Sequence, residues 1–211
     1  MRTAPFSTDG YYHVYNRGVD KRIVFHRFGH YLRFVSAIRN ILNTGSATQR
    51  RLYNQSLALK SKVGLLAYCL MPNHYHLLLK QLQNGGITEF MQKLDTSYTK
   101  YFNLNNHRSG HLFEYSFKAK HIESDELLLH VSRYIHLNPV IASLVEQPEQ
   151  WRWSSIHDYL DIETKPLCQT GEILSFFSSP YTYKQFLTDQ ISYARLLKEI
   201  EDEKNEDAIF L

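Results

Sequence analysis

Two histidines one residue apart are the first groups in this sequence that could do chemistry. His74 and His76 follow an apolar segment, residues 68–71, and open a second apolar segment after Pro72. Successive side chains of a strand point to opposite faces, so these two imidazoles would project from one face of a sheet. Adjacent imidazoles bind divalent metals, but an isolated His-x-His pair is equally compatible with histidines that only hydrogen-bond within a sheet. The pair therefore needs a third ligand.

A tyrosine and an asparagine four residues apart are candidates for the missing groups. Residues 125–138 carry apolar side chains mostly at helical spacing, after a favourable N-cap, Ser124. Pro139 disfavours helical geometry at the preceding residue, which predicts that the helix ends near Asn138. Tyr134 and Asn138 then share one helix face. An amide oxygen can bind a hard divalent ion and a phenol can act as a covalent nucleophile, although this spacing also occurs in ordinary helix packing.

Six short motifs occur in an order that resembles a known family. The family is the single-tyrosine transposases of the HUH nuclease class, in particular the REP-associated tyrosine transposases and the IS200-like group. The motifs are YHVYNRG at 12–18, YCLMPNHYHLLL at 68–79, YTKYFN at 98–103, GHLF at 110–113, YIHLNPV at 134–140 and WRWSS at 151–155. Several motifs in register are far more specific than any single one. No motif of the family is recognised in residues 161–211.

The resemblance implies a role for each candidate residue. His74 and His76 would bind the divalent metal, and Asn138 would complete the metal site, where some relatives carry glutamine. Tyr134 would be the nucleophile. The metal implied is Mg²⁺ or Mn²⁺, although imidazole and amide ligands also suit Zn²⁺.

The implied reaction is the metal-dependent cleavage and transfer of single-stranded DNA. The enzyme would cut beside DNA hairpins, such as REP-like palindromes, through a covalent 5′-phosphotyrosine intermediate. A non-catalytic nucleic-acid-binding module with a ferredoxin-like sheet is an alternative, and it predicts aromatic side chains on exposed sheet positions. A hydrolase that uses water as its nucleophile is a third interpretation.

Basic and aromatic side chains alternate in the stretch that precedes the tyrosine helix. Such a pattern is typical of proteins that bind single-stranded DNA through phosphate contacts and base stacking, but an exposed strand edge gives a similar pattern. Together with one arginine of the first motif, the predicted DNA-binding residues are Arg17, Arg108, His111, Phe113, Lys118 and Lys120.

Bulk properties are those of a soluble protein with a basic body. The net charge is +3, and residues 198–211 hold six of the 21 acids but two of the 24 lysines and arginines, which leaves +7 for residues 1–197. A basic body suits a phosphate backbone. The two cysteines, Cys69 and Cys168, exclude a cysteine-rich zinc module. Because there is no long apolar run or N-terminal signal, we expect a cytoplasmic protein. We expect a monomer, with a dimer as the alternative.

The order of the predicted elements is β-α-β-β-α-β-α. It predicts an α+β fold, a ferredoxin-like antiparallel sheet with helices on one face and the catalytic-tyrosine helix after the last strand. We divide the chain into a transposase domain, residues 1–160, and a helical C-terminal extension, residues 161–211. The predicted strands are residues 11–16, 64–70, 74–80 and 112–121. One helix is predicted within residues 24–43, and the others are residues 87–105, 125–138 and 182–205.

Overall fold

A four-stranded antiparallel sheet is the centre of the protein. The structure is a computed structural model that describes residues 6–42 and 62–192. The strand order is β2-β3-β1-β4, and every neighbouring pair is antiparallel. The predicted ferredoxin-like α+β fold is therefore confirmed. The strands are β1 Tyr11–Arg17, β2 Val63–Met71, β3 His74–Gln81 and β4 Lys118–Ile122.

Helices cover both faces of the sheet. The two crossover helices, α1 and α2, pack on one face as predicted, whereas α3 and the later helices pack on the other. None of the described helices is both long and apolar enough to cross a membrane. The helices are α1 Phe28–Ile41, α2 Gly86–Asn105, α3 Asp125–Ile141, α4 Ile156–Tyr159, α5 Gly171–Leu174 and α6 Pro180–Thr188.

Strand β3 shows how the sheet separates two apolar cores. Leu77 and Leu79 point into the core beneath α1 and α2, while Leu78 points into the core beneath α3. His74 and His76 have the same parity as Leu78 and therefore share its face. The neighbouring strand β2 is buried along its whole length. The two histidines are thus anchored between apolar residues and turned towards α3.

Helix α3 begins as predicted but ends later. The Ser124 hydroxyl caps it by accepting a hydrogen bond from the backbone N–H of Leu127 at 3.2 Å. The prediction that the helix stops near Asn138 is wrong, because Pro139 lies inside the last turn and α3 continues to Ile141. A proline there removes one N–H donor, while the carbonyls of residues 138 and 139 still accept bonds from later amides at 2.9 Å.

Tertiary packing shortens one other predicted element. The strand predicted at residues 112–121 is wrong for its first half, because β4 begins at Lys118 and residues 112, 113 and 117 are buried in the core beneath α2. The helix predicted within residues 24–43 is α1, which begins at Phe28. Val24 and Phe25 instead form a buried turn in which both backbone amides bond to the Pro72 carbonyl at 2.9 Å.

The C-terminal part of the described chain packs on the core beneath α3. Ile173 of α5 and Tyr183 and Leu187 of α6 are fully buried there. The continuous helix predicted at residues 182–205 is wrong, because α6 ends at Thr188 and residues 189–190 form a turn. Residues from 193 onwards lie outside the described residues. The connection at residues 43–61 also lies outside them. The predicted boundary near residue 160 stays a prediction.

Candidate active site

The two histidines of β3 lie side by side on the α3 face of the sheet. Their ring centroids are 4.9 Å apart, with the rings nearly perpendicular. His76 is only 5% exposed, whereas His74 is half-buried at the end of the strand. The alternation of side chains along β3 therefore brings both imidazoles to one place, as the sequence predicted.

Neighbouring side chains fix the orientation of both rings. Nδ1 of His74 lies 2.6 Å from Oδ1 of Asn73, and because an amide oxygen only accepts, this nitrogen carries the proton. Nδ1 of His76 lies 2.9 Å from Nε2 of His13 on β1. Nε2 of His76 is buried and has no hydrogen-bond partner among the described residues. A buried nitrogen without a hydrogen-bond partner lowers the stability of the folded protein by about 1–3 kcal/mol, and a ligand bound to that nitrogen would restore it.

Burial keeps these histidines neutral. Loss of solvent lowers the pKa of His76 well below its ordinary value, and the neighbouring His74 and His13 lower it further. Burial, opposed by a hydrogen bond to Asn138, lowers the pKa of His74 to about 4. The pKa of His13 is also about 4, because of burial and then the positive charge of Lys120. At neutral pH the rings are in the uncharged form that binds metals.

Helix α3 brings the predicted tyrosine and asparagine to the histidines. The ring centroid of Tyr134 lies 5.4 Å from that of His76 and 5.8 Å from that of His13, edge-on to both. Tyr134 is 46% exposed, so a substrate can reach it. One helical turn later, the Asn138 side chain hydrogen-bonds with the His74 ring and also donates to the Tyr134 carbonyl at 3.1 Å. All four predicted site residues therefore meet.

An open pocket of about 330 Å³ is lined by three of these four residues, His74, His76 and Tyr134. Strand β1, the loop before β4 and the start of β4 form its other walls. Several polar side chains line it, and those that matter below are Asn16, Arg17, Glu114, Tyr115 and Lys118. The pocket offers a nucleophile candidate, neutral imidazoles and cationic groups within one opening.

The donor set fits a divalent ion only if an amide takes part. Within residues 6–42 and 62–192, no cluster of three or more histidine, cysteine, aspartate or glutamate side chains is arranged to hold a metal. His13 lies next to this pair of histidines, but its Nε2 atom is within hydrogen-bond distance of Nδ1 of His76. Two neutral imidazoles with Asn138 as the third ligand, together with the unpartnered Nε2 atom of His76, form a set that suits Mg²⁺, Mn²⁺ or Zn²⁺.

Three of the predicted DNA-binding residues lie around this pocket. Lys118 lines it and is exposed. Arg17 lines it too, but its guanidinium is held by two hydrogen bonds to the Glu114 carboxylate, at 2.9 and 3.3 Å. Lys120 is exposed on β4 directly opposite His13, so it faces the same side of the sheet. These positions are compatible with phosphate binding, which stays a prediction.

The other three predicted DNA-binding residues lie in the segment before β4, and the structure corrects one of them. Phe113 is 6% exposed and packs against Tyr75 and Tyr98 in the core, so the prediction that it stacks on a base is wrong. Arg108 donates to Asn103 at 2.7 Å and to the carbonyl of His111 at 3.0 Å, which stabilises its own loop. His111 is exposed on that loop.

Several residues at the site were not predicted, and three of them bear on its chemistry, His13, Asn73 and Tyr115. His13 has a signal in the sequence, because odd-numbered residues of β1 share a face with the histidines once the strands pair as Tyr15 with His76. Asn73 directly precedes His74 in the motif at 68–79 but was not given a role. Tyr115 is exposed at the edge of the pocket, and nothing in its local sequence distinguishes it from Phe113, which is buried.

Comparison with known proteins agrees with this geometry. The family model of IS200-like transposases matches residues 26–138, which is more than half of the chain and includes all four site residues. The chain belongs to the IS200-like transposase family. The resemblance in the motifs is thereby confirmed.

Two relatives show how far the likeness extends. The transposase is 29% identical over 112 residues to a protein of Haemophilus influenzae described as a REP-associated tyrosine transposase. That alignment covers 48% of this chain and 63% of the relative, so it spans less than two thirds of the relative's length. A solved structure of a REP-associated tyrosine transposase bound to a REP hairpin is 18% identical, with a TM-score of 0.58, and the match covers 79% of this chain and 88% of that one. At this identity, the likeness shows a shared fold.

Proposed function

We propose that this transposase is a metal-dependent endonuclease and strand transferase for single-stranded DNA, and that it cuts beside hairpins. The observation that supports the proposal is the contact between the rings of Tyr134 and His76. The exposed phenol lies beside an imidazole whose buried Nε2 atom has no hydrogen-bond partner among the described residues. A nucleophile next to an unused ligand atom is the arrangement that covalent phosphoryl transfer requires.

The site residues divide the chemistry between them. His74, His76 and Asn138 would hold Mg²⁺ or Mn²⁺. When bound, such an ion stabilises the negative charge that develops on the attacked phosphate. The oxygen of Tyr134 forms a bond to phosphorus while the bond from phosphorus to the 3′ oxygen breaks, and the phenol proton ends on the released 3′ hydroxyl. The DNA is then joined to the protein through its 5′ phosphate.

The covalent link explains why the reaction would be a transfer. A phosphotyrosine diester retains a phosphodiester bond, so a second 3′ hydroxyl can attack it and release Tyr134. Rejoining of a different strand end follows from this exchange, whereas hydrolysis would need water to take the place of the hydroxyl. A phenol with an ordinary pKa of about 10 is a weak nucleophile at neutral pH, which explains why charge stabilisation around the phosphate matters.

A DNA hairpin with an unpaired flank is the partner we propose. Lys118, Arg17 and Lys120 give the pocket side of the sheet a cationic rim, and the related structure of the same fold contains a REP hairpin. A flexible single strand can enter the space between β3 and α3, whereas a stiff duplex cannot. The same oligonucleotide annealed to its full complement should therefore be cut much more slowly, and comparable rates would contradict the single-strand proposal.

The non-catalytic alternative fits the structure less well. A ferredoxin-like sheet that binds RNA leaves an aromatic sheet face open to bases. Here α1 and α2 cover one face, and α3 to α6 cover much of the other. A binding module would also have no use for an exposed tyrosine placed against buried neutral histidines.

Covalent trapping tests the proposal. Labelled single-stranded DNA hairpins are incubated with Mn²⁺ and the protein, which is then denatured. We expect label on the wild type and none on Tyr134→Phe, because that change removes one hydroxyl and leaves the ring. Tyr181→Phe, a change at another exposed tyrosine, should label like the wild type.

Each other outcome identifies a rival. An adduct on Tyr134→Phe would assign the nucleophile elsewhere. Cleavage by the wild type without an adduct would indicate water as the nucleophile. Binding without cleavage would indicate the non-catalytic module.

A further inference from the structure

The segment between α2 and β4 places one exposed aromatic ring at the edge of the active-site pocket. Leu112, Phe113 and Phe117 of this segment are buried, whereas Tyr115 is 56% exposed. Tyr115 lines the pocket that also contains Tyr134. The exposed ring therefore contributes little to the core and stands at the edge of the same opening as the candidate nucleophile.

A second groove continues from Tyr115 along α2. Its volume is about 660 Å³, within the range of about 300–1,000 Å³ that is usual for small-molecule sites. Phe113 and Phe117 contribute to its apolar lining. Hydrogen-bonding side chains from α2 also line it, among them Gln92, Thr96 and Thr99. An apolar surface with a few polar groups is the kind of environment that accepts a planar heterocycle.

A buried polar network fixes the backbone of Tyr115. Nδ2 of Asn16, a residue that is 2% exposed, donates to the Tyr115 carbonyl at 2.8 Å. The same nitrogen lies 3.4 Å from Asp95 of α2, and the hydroxyl of Tyr75 donates to that carboxylate at 2.7 Å. Burial raises the pKa of Asp95 to about 7. Such networks favour a single conformation, so Tyr115 is held beside the pocket.

A cationic group accompanies the ring. Nζ of Lys118 lies 4.4 Å from the centroid of Tyr115, and both side chains line the active-site pocket. A ring next to an ammonium group matches the two parts of an unpaired nucleotide, because the base stacks on the ring and the phosphate meets the charge.

We infer that Tyr115 and the groove beside it form a subsite for one unpaired nucleobase of the DNA strand adjacent to the phosphate that is cut. The Tyr115 ring stacks on the base and the groove along α2 encloses it. This inference rests on the proposed function, since it places the base relative to Tyr134. It also replaces the stacking residue that the sequence predicted, because Phe113 lies inside the core and Tyr115, two residues later, is exposed.

A double-mutant cycle tests the subsite by combining changes in the protein with changes in the DNA. It measures binding affinity alone, with no cleavage of the DNA. All variants carry Tyr134→Phe, so that no strand is cut during the measurement. The added changes are Tyr115→Leu, Tyr115→Phe and, as a matched control at a distant exposed tyrosine, Tyr181→Leu. The probe is a fluorescent hairpin with an unpaired flank, in which each unpaired nucleotide in turn is made abasic, and the dissociation constant is measured by anisotropy.

Stacking predicts a specific pattern in this cycle. Tyr115→Leu should weaken binding between about 5-fold and 100-fold, while Tyr115→Phe and Tyr181→Leu stay near the reference. At one flank position, the abasic nucleotide should weaken binding to the reference protein but not weaken it further in Tyr115→Leu. Equal abasic penalties at every position in both proteins would overturn the inference, as would Tyr115→Leu binding like Tyr181→Leu.

Failure of the subsite is distinguishable from failure of the proposed function. The covalent-trapping result depends on Tyr134 and not on the binding cycle. Adducts on wild type with no coupling at Tyr115 would remove the subsite and leave the function, while coupling at Tyr115 without adducts would keep a base-binding site on a protein that does not cut. Because Tyr115 is exposed, its variants should melt close to the reference protein, and circular dichroism checks that they are folded.

Discussion

Two buried histidines on the same side of the sheet differ in what their ring nitrogens contact. His136 of α3 has both nitrogens occupied, since Nδ1 lies 2.7 Å from the hydroxyl of Tyr183 and Nε2 lies 2.8 Å from that of Ser155. His76 of β3 has one nitrogen against His13, and the other has no hydrogen-bond partner among the described residues. His136 thus connects α3 to α6 and to the loop before α4, while His76 keeps a ligand atom unused.

Burial and charge do not distinguish His76 from His136. Burial lowers the pKa of both rings, to about 3 for His136, so both are neutral at physiological pH. The sequence does not separate them either, because His136 lies between Tyr134 and Asn138 in a single motif. Between these two histidines, unused hydrogen-bonding capacity beside Tyr134 is what distinguishes the candidate ligand from the residue that stabilises the fold.

The largest expected effect on cleavage and stability comes from replacing each of these two histidines with alanine. His76→Ala should abolish cleavage and covalent adducts at all practical Mg²⁺ concentrations, with a smaller loss of stability than His136→Ala because only one of its ring nitrogens has a partner to lose. His136→Ala should keep Mn²⁺ binding but lower the free energy of unfolding by about 3 kcal/mol, because two buried hydroxyls lose a partner and a cavity forms. Adduct assays, Mn²⁺ titration and thermal melting measure the three quantities.

An exposed histidine on the same helix supplies the control. His130→Ala should leave cleavage, Mn²⁺ binding and melting temperature unchanged, since His130 lies at the surface of α3. If His136→Ala loses Mn²⁺ binding while it remains folded, the contrast between the two histidines is wrong. The contrast also fails if His76→Ala still cleaves DNA.

The third proposed ligand should give a smaller loss. Asn138→Ala should cleave slowly in Mg²⁺ and recover in excess Mn²⁺, because a neutral amide is the weakest of the three ligands and mass action of the metal offsets its loss. Initial rates over a series of Mn²⁺ concentrations measure the recovery. A variant that is as inactive as His76→Ala at every concentration would give Asn138 a different role, and a fully active variant would remove it from the site.

The sequence predicts those parts of the site that depend on local periodicity. Alternation along β3 places His74 and His76 on one face, and helical spacing places Tyr134 and Asn138 on one side of α3, both of which the structure shows. The N-cap at Ser124 is a local signal of the same kind. The fold class follows from the order of the elements, and the strand order agrees with it.

Contacts between distant residues could not be predicted in this way. The hydrogen bond between His13 and His76 joins residues 63 positions apart and depends on the register of β1 against β3. Phe113 and Tyr115 would share a face in a regular strand, yet packing against α2 buries the first and exposes the second. The partners of His136 likewise come from α6 and from the loop before α4, so its structural role is invisible locally.

Changing the partner of His76 tests whether its orientation matters. His13→Leu removes the hydrogen-bond partner of Nδ1 of His76 and should weaken Mn²⁺ binding about 10- to 100-fold. His13→Gln keeps an amide oxygen near the same place and should recover part of that loss. Titration of Mn²⁺ measures the affinity, and nitrogen chemical shifts of the His76 ring in metal-free protein measure the tautomer. Equal affinity of His13→Leu, His13→Gln and wild type would make His13 a packing residue only.

The smallest expected effect is on the pH dependence of stability. The folded-state pKa of His136 is about 3 and its ordinary value is 6.5, so below pH 6.5 the unfolded chain binds a proton that the folded chain does not. Stability from this residue is therefore complete above pH 6.5 and falls by up to about 1.4 kcal/mol per pH unit as the pH drops towards 3. His136→Gln lacks this titration, so between pH 7 and pH 4.5 its unfolding free energy should fall about 2 kcal/mol less than that of wild type. Urea unfolding in EDTA measures the difference, because His13, His74 and His76 titrate in both proteins and cancel. Parallel curves for the two proteins would mean that folded His136 takes up its proton as readily as the unfolded chain does, and the two buried histidines would then differ in charge as well as in their contacts.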